Sequence, residues 1–321
     1  MNDYVPNVAA IERSKSVLEQ LQKHTESEPW NVRRDRLRKE LAAGGDYKVK
    51  NDLATALAHT GEAAEAVTLL EQIETEKPGL YVTAANLGTA YELNGNDEKA
   101  LEWIKKGIER NPESHEGTEW LHVRILEAKL ALKSDTNWLE ANSILGPRTI
   151  VDPTDKAAHP DRYDLMIIEP GLRIGPAAAG NFAVTGNRGE KLTPEQIEKA
   201  LMYQLHERLQ FVKPPDAIVG DLLLELGHLL AKKPPGPGSS RAVYQLAAAY
   251  LTDSPNAESL LDDANIQARH AASRQRTRDP GARVRMLFFL AVAAIVLPFL
   301  VIGLKRRIER RLTAKTAQGT A

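Results

Sequence analysis

A repeat of 34 residues in the first half of the chain restricts its fold more than any other feature. Four identities are separated by this spacing: Leu53 and Leu87, Gly61 and Gly95, Ala66 and Ala100, and Pro78 and Pro112. Such a period is typical of repeat architectures, in which each unit buries its hydrophobic face only by stacking on its neighbours. The chain is therefore expected to build a row of similar units.

The residue types within the repeat predict a pair of helices. Leu87 and Tyr91 are four residues apart and share one face of a first helix. Gly95 permits a tight turn, and Ala100 offers a small contact where a second helix crosses the first. Pro112 then ends the pair, because proline cannot continue a helix.

These positions resemble the tetratricopeptide repeat (TPR). Leu87-Gly88, Tyr91, Gly95, Ala100 and Pro112 fit its pattern, and residues 53–78 repeat it more loosely. The resemblance covers residues 46–147 well and 193–254 loosely. It implies an all-α fold, a TPR-like α-solenoid of degenerate helix pairs, that binds a protein or peptide in a concave groove and carries out no chemistry. No cofactor is expected.

The sequence predicts seven segments along the chain. They are an N-terminal helical segment (1–45), TPR-like repeats (46–146), an irregular Pro/Gly-rich insertion (147–192), a second TPR-like helical region (193–268), a basic juxtamembrane segment (269–285), a transmembrane helix (286–304) and a basic tail (305–321). The third unit departs from the pattern and predicts a long helix from Glu116 to Leu132, with a short one around residues 138–144. Thr193 and Gln196 have the spacing of a capping box, which predicts a helix start there.

The segment from Met286 to Leu304 contains no charged or amide side chain. A helix of this length covers roughly 28 Å, which matches the hydrocarbon layer of a bilayer. Six basic residues flank each end, so the positive-inside rule does not orient the segment. The first thirty residues contain no signal peptide, which favours a cytoplasmic body with a C-terminal anchor. The alternative is an exported body whose start site has been misassigned.

Charge is distributed unevenly. The segment from Arg269 onward holds twelve of the 42 Lys and Arg residues but only two of the 43 acidic residues, so the body is acidic. An acidic body lacks the row of unpaired cations that grips a phosphate backbone, and nucleic acid is excluded as a partner. The absence of cysteine excludes disulfide and thiolate chemistry.

The first helices of TPR-like units line the groove, and the resemblance places five polar residues there. These groove candidates are Asn51, Thr55, Asn86, Thr89 and Glu116. Chaperone-binding TPR proteins clamp a terminal carboxylate with lysine, arginine and asparagine, and only Asn86 agrees with that set. Capture of an acidic chaperone tail is therefore not expected. The alternative is that all five are solvated surface residues.

A second hypothesis, from a different class, is a membrane-bound metal hydrolase. His115, Glu119 and His122 stand at i, i+4 and i+7, where one helical face could present two imidazoles and a carboxylate to Zn²⁺. Packing of Trp120 and Leu121 explains the same segment without a metal. No catalytic triad, paired catalytic carboxylates or kinase signature can be located.

Overall fold

Helical hairpins account for most of the computed structural model, which describes residues 17–21, 28–150, 174–175, 184–232, 240–252 and 265. The chain divides into two units, Met1–Ala271 and Ala272–Ala321, and every described residue belongs to the first. The predicted transmembrane helix, both basic segments and the end of the second helical region after residue 252 lie outside the described residues, apart from Asn265. Within the described ranges, no helix combines the length and apolarity needed to cross a bilayer.

Helices make up most of the described residues, and those from α2 to α8 follow one another with short connections, which confirms the all-α prediction in its coarse form. In chain order they are α1 (Val17–Leu21), α2 (Trp30–Ala42), α3 (Tyr47–His59), α4 (Ala63–Glu76), α5 (Tyr81–Leu93), α6 (Asp97–Arg110), α7 (Glu119–Ser134), α8 (Trp138–Ala141), α9 (Pro194–Phe211), α10 (Ala217–Lys232) and α11 (Ser240–Leu251). Short antiparallel pairs join β1 (Asn142–Ser143) to β2 (Gly146–Pro147) and β3 (Thr149–Ile150) to β4 (Ile174–Gly175).

The two best repeats fold as the antiparallel pairs α3–α4 and α5–α6. The turn glycines Gly61 and Gly95 adopt φ of 86° and 81°, a left-handed conformation that glycine reaches without strain. Ala66 and Ala100 are completely buried at the crossings. The side chain of Asp46 caps α3 by accepting hydrogen bonds from the next backbone N–H groups. The residues that defined the period are thus those that set the hairpin geometry.

The two glycines inside α5 and α6 make a testable pair. A Cβ at Gly88 would overlap the side chain of Ile104 and stand 3.2 Å from its backbone nitrogen, whereas a Cβ at Gly107 would make an ordinary contact 3.5 Å from the nitrogen of Ala85. Gly88→Ala should therefore lower the free energy of unfolding by about 1–3 kcal/mol through overpacking. Gly107→Ala should raise it by up to about 1 kcal/mol, because alanine is the better helix former. Urea unfolding followed by circular dichroism measures both, and a shared sign would contradict the crossing geometry.

The third unit differs from the prediction at both of its helices. The expected helix from Glu116 begins instead at Glu119, because His115, Glu116 and Gly117 all have positive φ and form a tight 3-10 turn that cannot continue into an α-helix. The short second helix ends at Ala141, and the β1–β2 hairpin takes the place of the rest. A hairpin of strands therefore stands where the unit would have a second helix.

The second helical region begins where its capping motif predicts. The Thr193 hydroxyl accepts a hydrogen bond from the Gln196 backbone, and the Gln196 side chain accepts one from the Thr193 backbone. Helices α10 and α11 then form a hairpin in which Gly227 faces Tyr244, where a Cβ would lie 2.6 Å from the ring. Helix α9 precedes this hairpin and packs on α10. Residues 233–239, between α10 and α11, lie outside the described residues.

Two hydrophobic cores support these elements. The first joins α2 to the repeats and is centred on Leu57, Leu70 and Leu87, each at most 1% exposed. The second joins α7 to α1, α9, α10 and α11, with Leu121, Leu201 and Leu222 fully buried. Helix α7 contributes Leu126 to the first core and Ile125 to the second. It therefore links the repeats to the C-terminal helices.

Candidate partner-binding cavity

Helix α9 lies against the side of the repeats on which the groove was predicted. Near its start, Lys199 forms an ion pair with Glu116. Near its end, the ring of Phe211 lies 4.4 Å from that of His59 on α3. Between them, Arg208 bonds to Glu92 on α5. One helix of this chain thus reaches from the third unit to the first, and the groove becomes a walled cavity.

Aromatic stacking holds the C-terminal end of α9. The His59 ring stacks on Trp30 of α2 at 3.6 Å between centroids and also contacts Phe211. Burial, together with the nearby charge of Arg33, lowers the pKa of His59 to about 3. A neutral imidazole is thereby kept between two aromatic rings, and it ties three helices together.

A buried charge network holds the middle of α9. The Arg208 guanidinium makes two hydrogen bonds to Glu92, of 2.7 and 3.2 Å, and Nε2 of His122 lies 2.8 Å from the same carboxylate. Lys129 donates a further bond of 3.1 Å. Burial alone would raise the pKa of Glu92, but the charge of Arg208 and the bond from His122 outweigh it and hold that pKa well below its usual range. Glu92 is therefore a buried carboxylate with three basic neighbours.

Glu119 lies between the two histidines of the predicted metal triad. It contacts Nδ1 of His115, and its second oxygen is 3.5 Å from Nδ1 of His122. Burial opposes ionisation of this carboxyl, but its bonds to His115 and His122 outweigh that effect and lower its pKa. Burial likewise opposes protonation of His122, yet its bonds to Glu119 and Glu92 raise its pKa.

This arrangement does not favour the metal hypothesis. Nε2 of His122 lies 2.8 Å from Glu92 and Nδ1 lies 3.5 Å from Glu119, so both ring nitrogens face carboxylates of the cluster. In the described part of the chain, no group of three His, Asp or Glu side chains is placed to hold a metal ion. The spacing of His115, Glu119 and His122 does bring them together, but as an ion-paired cluster.

A cavity of about 130 Å³ lies between α9 and the repeats. Helices α3 and α5 supply small apolar side chains, including Ala54, Ala58 and Ala85, with the polar Thr55, Asn86 and Thr89 beside them. Helix α7 supplies Glu119, His122 and Lys129, and α9 supplies Tyr203, Gln204, Arg208 and Phe211. The cavity wall is therefore mainly apolar on the side of the repeats. Where α7 meets α9 the wall is charged, and its acidic and basic side chains pair with one another.

Three of the five groove candidates line this cavity. Asn86 donates a 3.0 Å hydrogen bond to the Asn51 side chain behind it, and the hydroxyls of Thr55 and Thr89 donate to backbone carbonyls of their own helices. Glu116 lies apart, in the turn before α7, paired with Lys199. Asn51, Thr55 and Asn86 are each less than a tenth exposed, so they are not solvated surface residues.

The sequence did not indicate the residues that α9 contributes. Its apolar residues recur every four positions, at Ile197, Leu201, Leu205 and Leu209, which is the pattern of one buried helix face; the first three are buried and Leu209 is partly buried. Tyr203, Gln204 and Arg208 lie between them and are also at most 9% exposed. Hydrophobic periodicity cannot predict that polar residues of a helix are buried against a distant part of the same chain.

Comparison with known proteins supports the repeat assignment over a limited stretch. No protein-family model matches the chain. A segment of 63 residues is 41% identical to the TPR repeat-containing protein YvcD of Bacillus subtilis (strain 168). The match covers 20% of this chain and 13% of that relative. Together with the helical hairpins, it supports a protein that contains TPR-like repeats.

Proposed function

We propose that the protein is a scaffold that binds a protein or peptide partner on the inner face of its TPR-like repeats and is held at a membrane by residues 286–304. The observation that carries the proposal is the cavity between α9 and helices α3, α5 and α7, on the face where repeat proteins of this kind bind. The similarity to a TPR protein favours binding over catalysis.

The membrane part of the proposal rests on the sequence. The apolar run from Met286 to Leu304 has the length of a spanning helix and is fenced by basic residues. Arginines beside such a helix anchor it in the headgroup layer. We place the body in the cytoplasm, with an exported body as the alternative orientation. A scaffold so anchored would recruit its partner to the membrane surface.

Site-specific photo-crosslinking in cells tests both parts of the proposal. A benzoylphenylalanine at Thr89, which lines the cavity, should crosslink the full-length protein to a discrete partner in the membrane fraction. The same residue at Thr68 is the matched control, because Thr68 makes the same bond to its own helix but is exposed on α4.

The crosslinking result separates the alternatives. A band that is specific to Thr89 and that co-sediments with membranes supports the scaffold. Identical bands from both positions, or none from Thr89, would contradict partner binding at this face. Recovery of the full-length protein in the aqueous fraction after lysis would contradict the anchor.

A further inference from the structure

The cavity wall contains an amide side chain, that of Gln204. Gln204 is 3% exposed as a residue, lines the cavity and makes no hydrogen bond to another described residue, and its amide atoms are not among the fully buried polar atoms without a partner. The amide therefore reaches the space of the cavity, where it bonds to water or to a ligand. Its donor and acceptor are therefore available to whatever occupies the cavity.

A second amide completes the polar side of the cavity. Asn86 uses its NH₂ group to bond the Asn51 carbonyl oxygen, so the Asn86 Oδ1 atom remains as an acceptor. The bond to Asn51 fixes this orientation, since Asn51 supplies the matching acceptor. Gln204 on α9 presents its NH₂ group and its carbonyl oxygen, and Asn86 on α5 presents its carbonyl oxygen. This set is complementary to a peptide main chain, whose groups are one N–H and one C=O per residue.

The remaining wall fits an uncharged aliphatic side chain. Ala54, Ala58, Ala85 and Phe211 supply apolar surface, and the volume of about 130 Å³ compares with engineered cavities of about 150 Å³ that hold a benzene-sized molecule. The charged groups of the wall are already neutralised by one another, as Glu92 is by Arg208. A charged ligand side chain would find no free counter-charge there, so its burial would be unfavourable.

We propose that the cavity binds one leucine-sized side chain of the partner, with the adjoining peptide group held by Gln204 and Asn86. This inference rests on the proposed scaffold function and names the ligand class of its site. Because α9 closes the cavity, the partner enters as an extended segment that inserts a single anchor residue. Gln204 is then a specificity-determining residue supplied by a helix outside the repeats.

Saturation-transfer NMR on the full-length protein in detergent micelles tests this. The probes are the capped pentapeptides acetyl-GGLGG-amide and acetyl-GGEGG-amide, together with N-acetyl-leucinamide. The leucine peptide should bind saturably, with the strongest transfer at its methyl groups, and the glutamate peptide should bind at least 10-fold more weakly. N-acetyl-leucinamide is a single capped leucine without neighbouring residues, and it should bind more weakly than the leucine peptide.

Two variants change different parts of the cavity wall. Gln204→Leu removes the amide at nearly constant volume, and Ala58→Met fills the apolar end. Each should weaken the leucine peptide by at least 10-fold, with helical circular dichroism unchanged. Ala64→Met makes the same change at an exposed position of α4 and should leave binding unaltered.

Several results would overturn the inference. The first is the absence of saturable transfer, which would mean that the cavity holds only water. The second is equal binding of the two pentapeptides, and the third is tighter binding of N-acetyl-leucinamide than of the leucine peptide. The fourth is a signal from the leucine peptide that neither variant reduces. If the Thr89 crosslink persists in Gln204→Leu and Ala58→Met, the scaffold stands and this inference fails. If the leucine peptide binds as expected but Thr89 yields no crosslink, the cavity specificity stands and the scaffold function fails.

Discussion

Replacing Arg208 by leucine should lower the free energy of unfolding of the full-length protein by about 3–5 kcal/mol. The Arg208 side chain is 10% exposed and makes both of its terminal bonds to Glu92, which is 7% exposed. Leucine fills much of the space but leaves the carboxylate buried, with only His122 and Lys129 as basic neighbours. Urea unfolding monitored by circular dichroism measures the change.

A surface ion pair provides the matched control for Arg208. Lys105 pairs with Glu127 at 3.1 Å, and both side chains are about half exposed. Lys105→Leu should change stability by less than about 1 kcal/mol, because water screens the pair. Adding Glu92→Gln to Arg208→Leu should recover part of the loss, since the unpaired charge is then removed. A loss below 1 kcal/mol for Arg208→Leu would show that the network does not hold α9.

Arg148→Met should also cost about 3–5 kcal/mol, for a different part of the fold. The Arg148 side chain is 1% exposed and pairs with Asp221 on α10, while its Nε donates to two carbonyls of the α8–β1 segment. Asp221 also accepts a 2.8 Å bond from the backbone of Ile144. This pair therefore attaches the β1–β2 hairpin to α10, and its loss leaves Asp221 and Glu225 buried together.

The pH dependence of the Arg148→Met deficit gives a further check. Burial, and after it the repulsion from Glu225, raises the pKa of Asp221 from 3.8 to about 6 despite the attraction of Arg148. A raised carboxyl pKa means that the folded state binds the proton more tightly, so stability declines as the pH rises through this range. Without Arg148 the pKa should rise further, and the deficit should be larger at pH 8 than at pH 5.

A second arginine controls for the chemical change itself. Arg188 pairs with Glu113, and both side chains are more than 60% exposed. Arg188→Met should therefore alter stability by less than about 1 kcal/mol at either pH. A pH-independent deficit for Arg148→Met would mean that the loss comes from packing and not from the missing charge opposite Asp221.

The sequence predicted the hairpins well because their determinants are local. Gly61 and Gly95 at the turns, and Ala66 and Ala100 at the crossings, act within one helix pair, so a 34-residue period is enough to find them. The third unit was predicted less well. Nothing local to Glu116 signalled a left-handed turn there, where the side chain pairs with Lys199 far along the chain.

The candidate site was predicted only in part, for the same reason. Asn86 and its neighbours were found because the resemblance assigns them to the inner face of the repeats. The metal hypothesis for His115, Glu119 and His122 rested on spacing, and spacing alone cannot show that Glu92 lies 2.8 Å from the second nitrogen of His122. Gln204 could not be found at all, since it reaches the cavity only through the placement of α9.

The sequence by itself determined the helical hairpins and the helix start at Thr193, because these depend on contacts between residues a few positions apart. Only the tertiary structure decided that α9 closes the groove, which rests on bonds such as Arg208 to Glu92, 116 residues apart. The periodicity of a sequence indicates which helix faces are apolar. It does not indicate which distant polar group will pair with each buried charge.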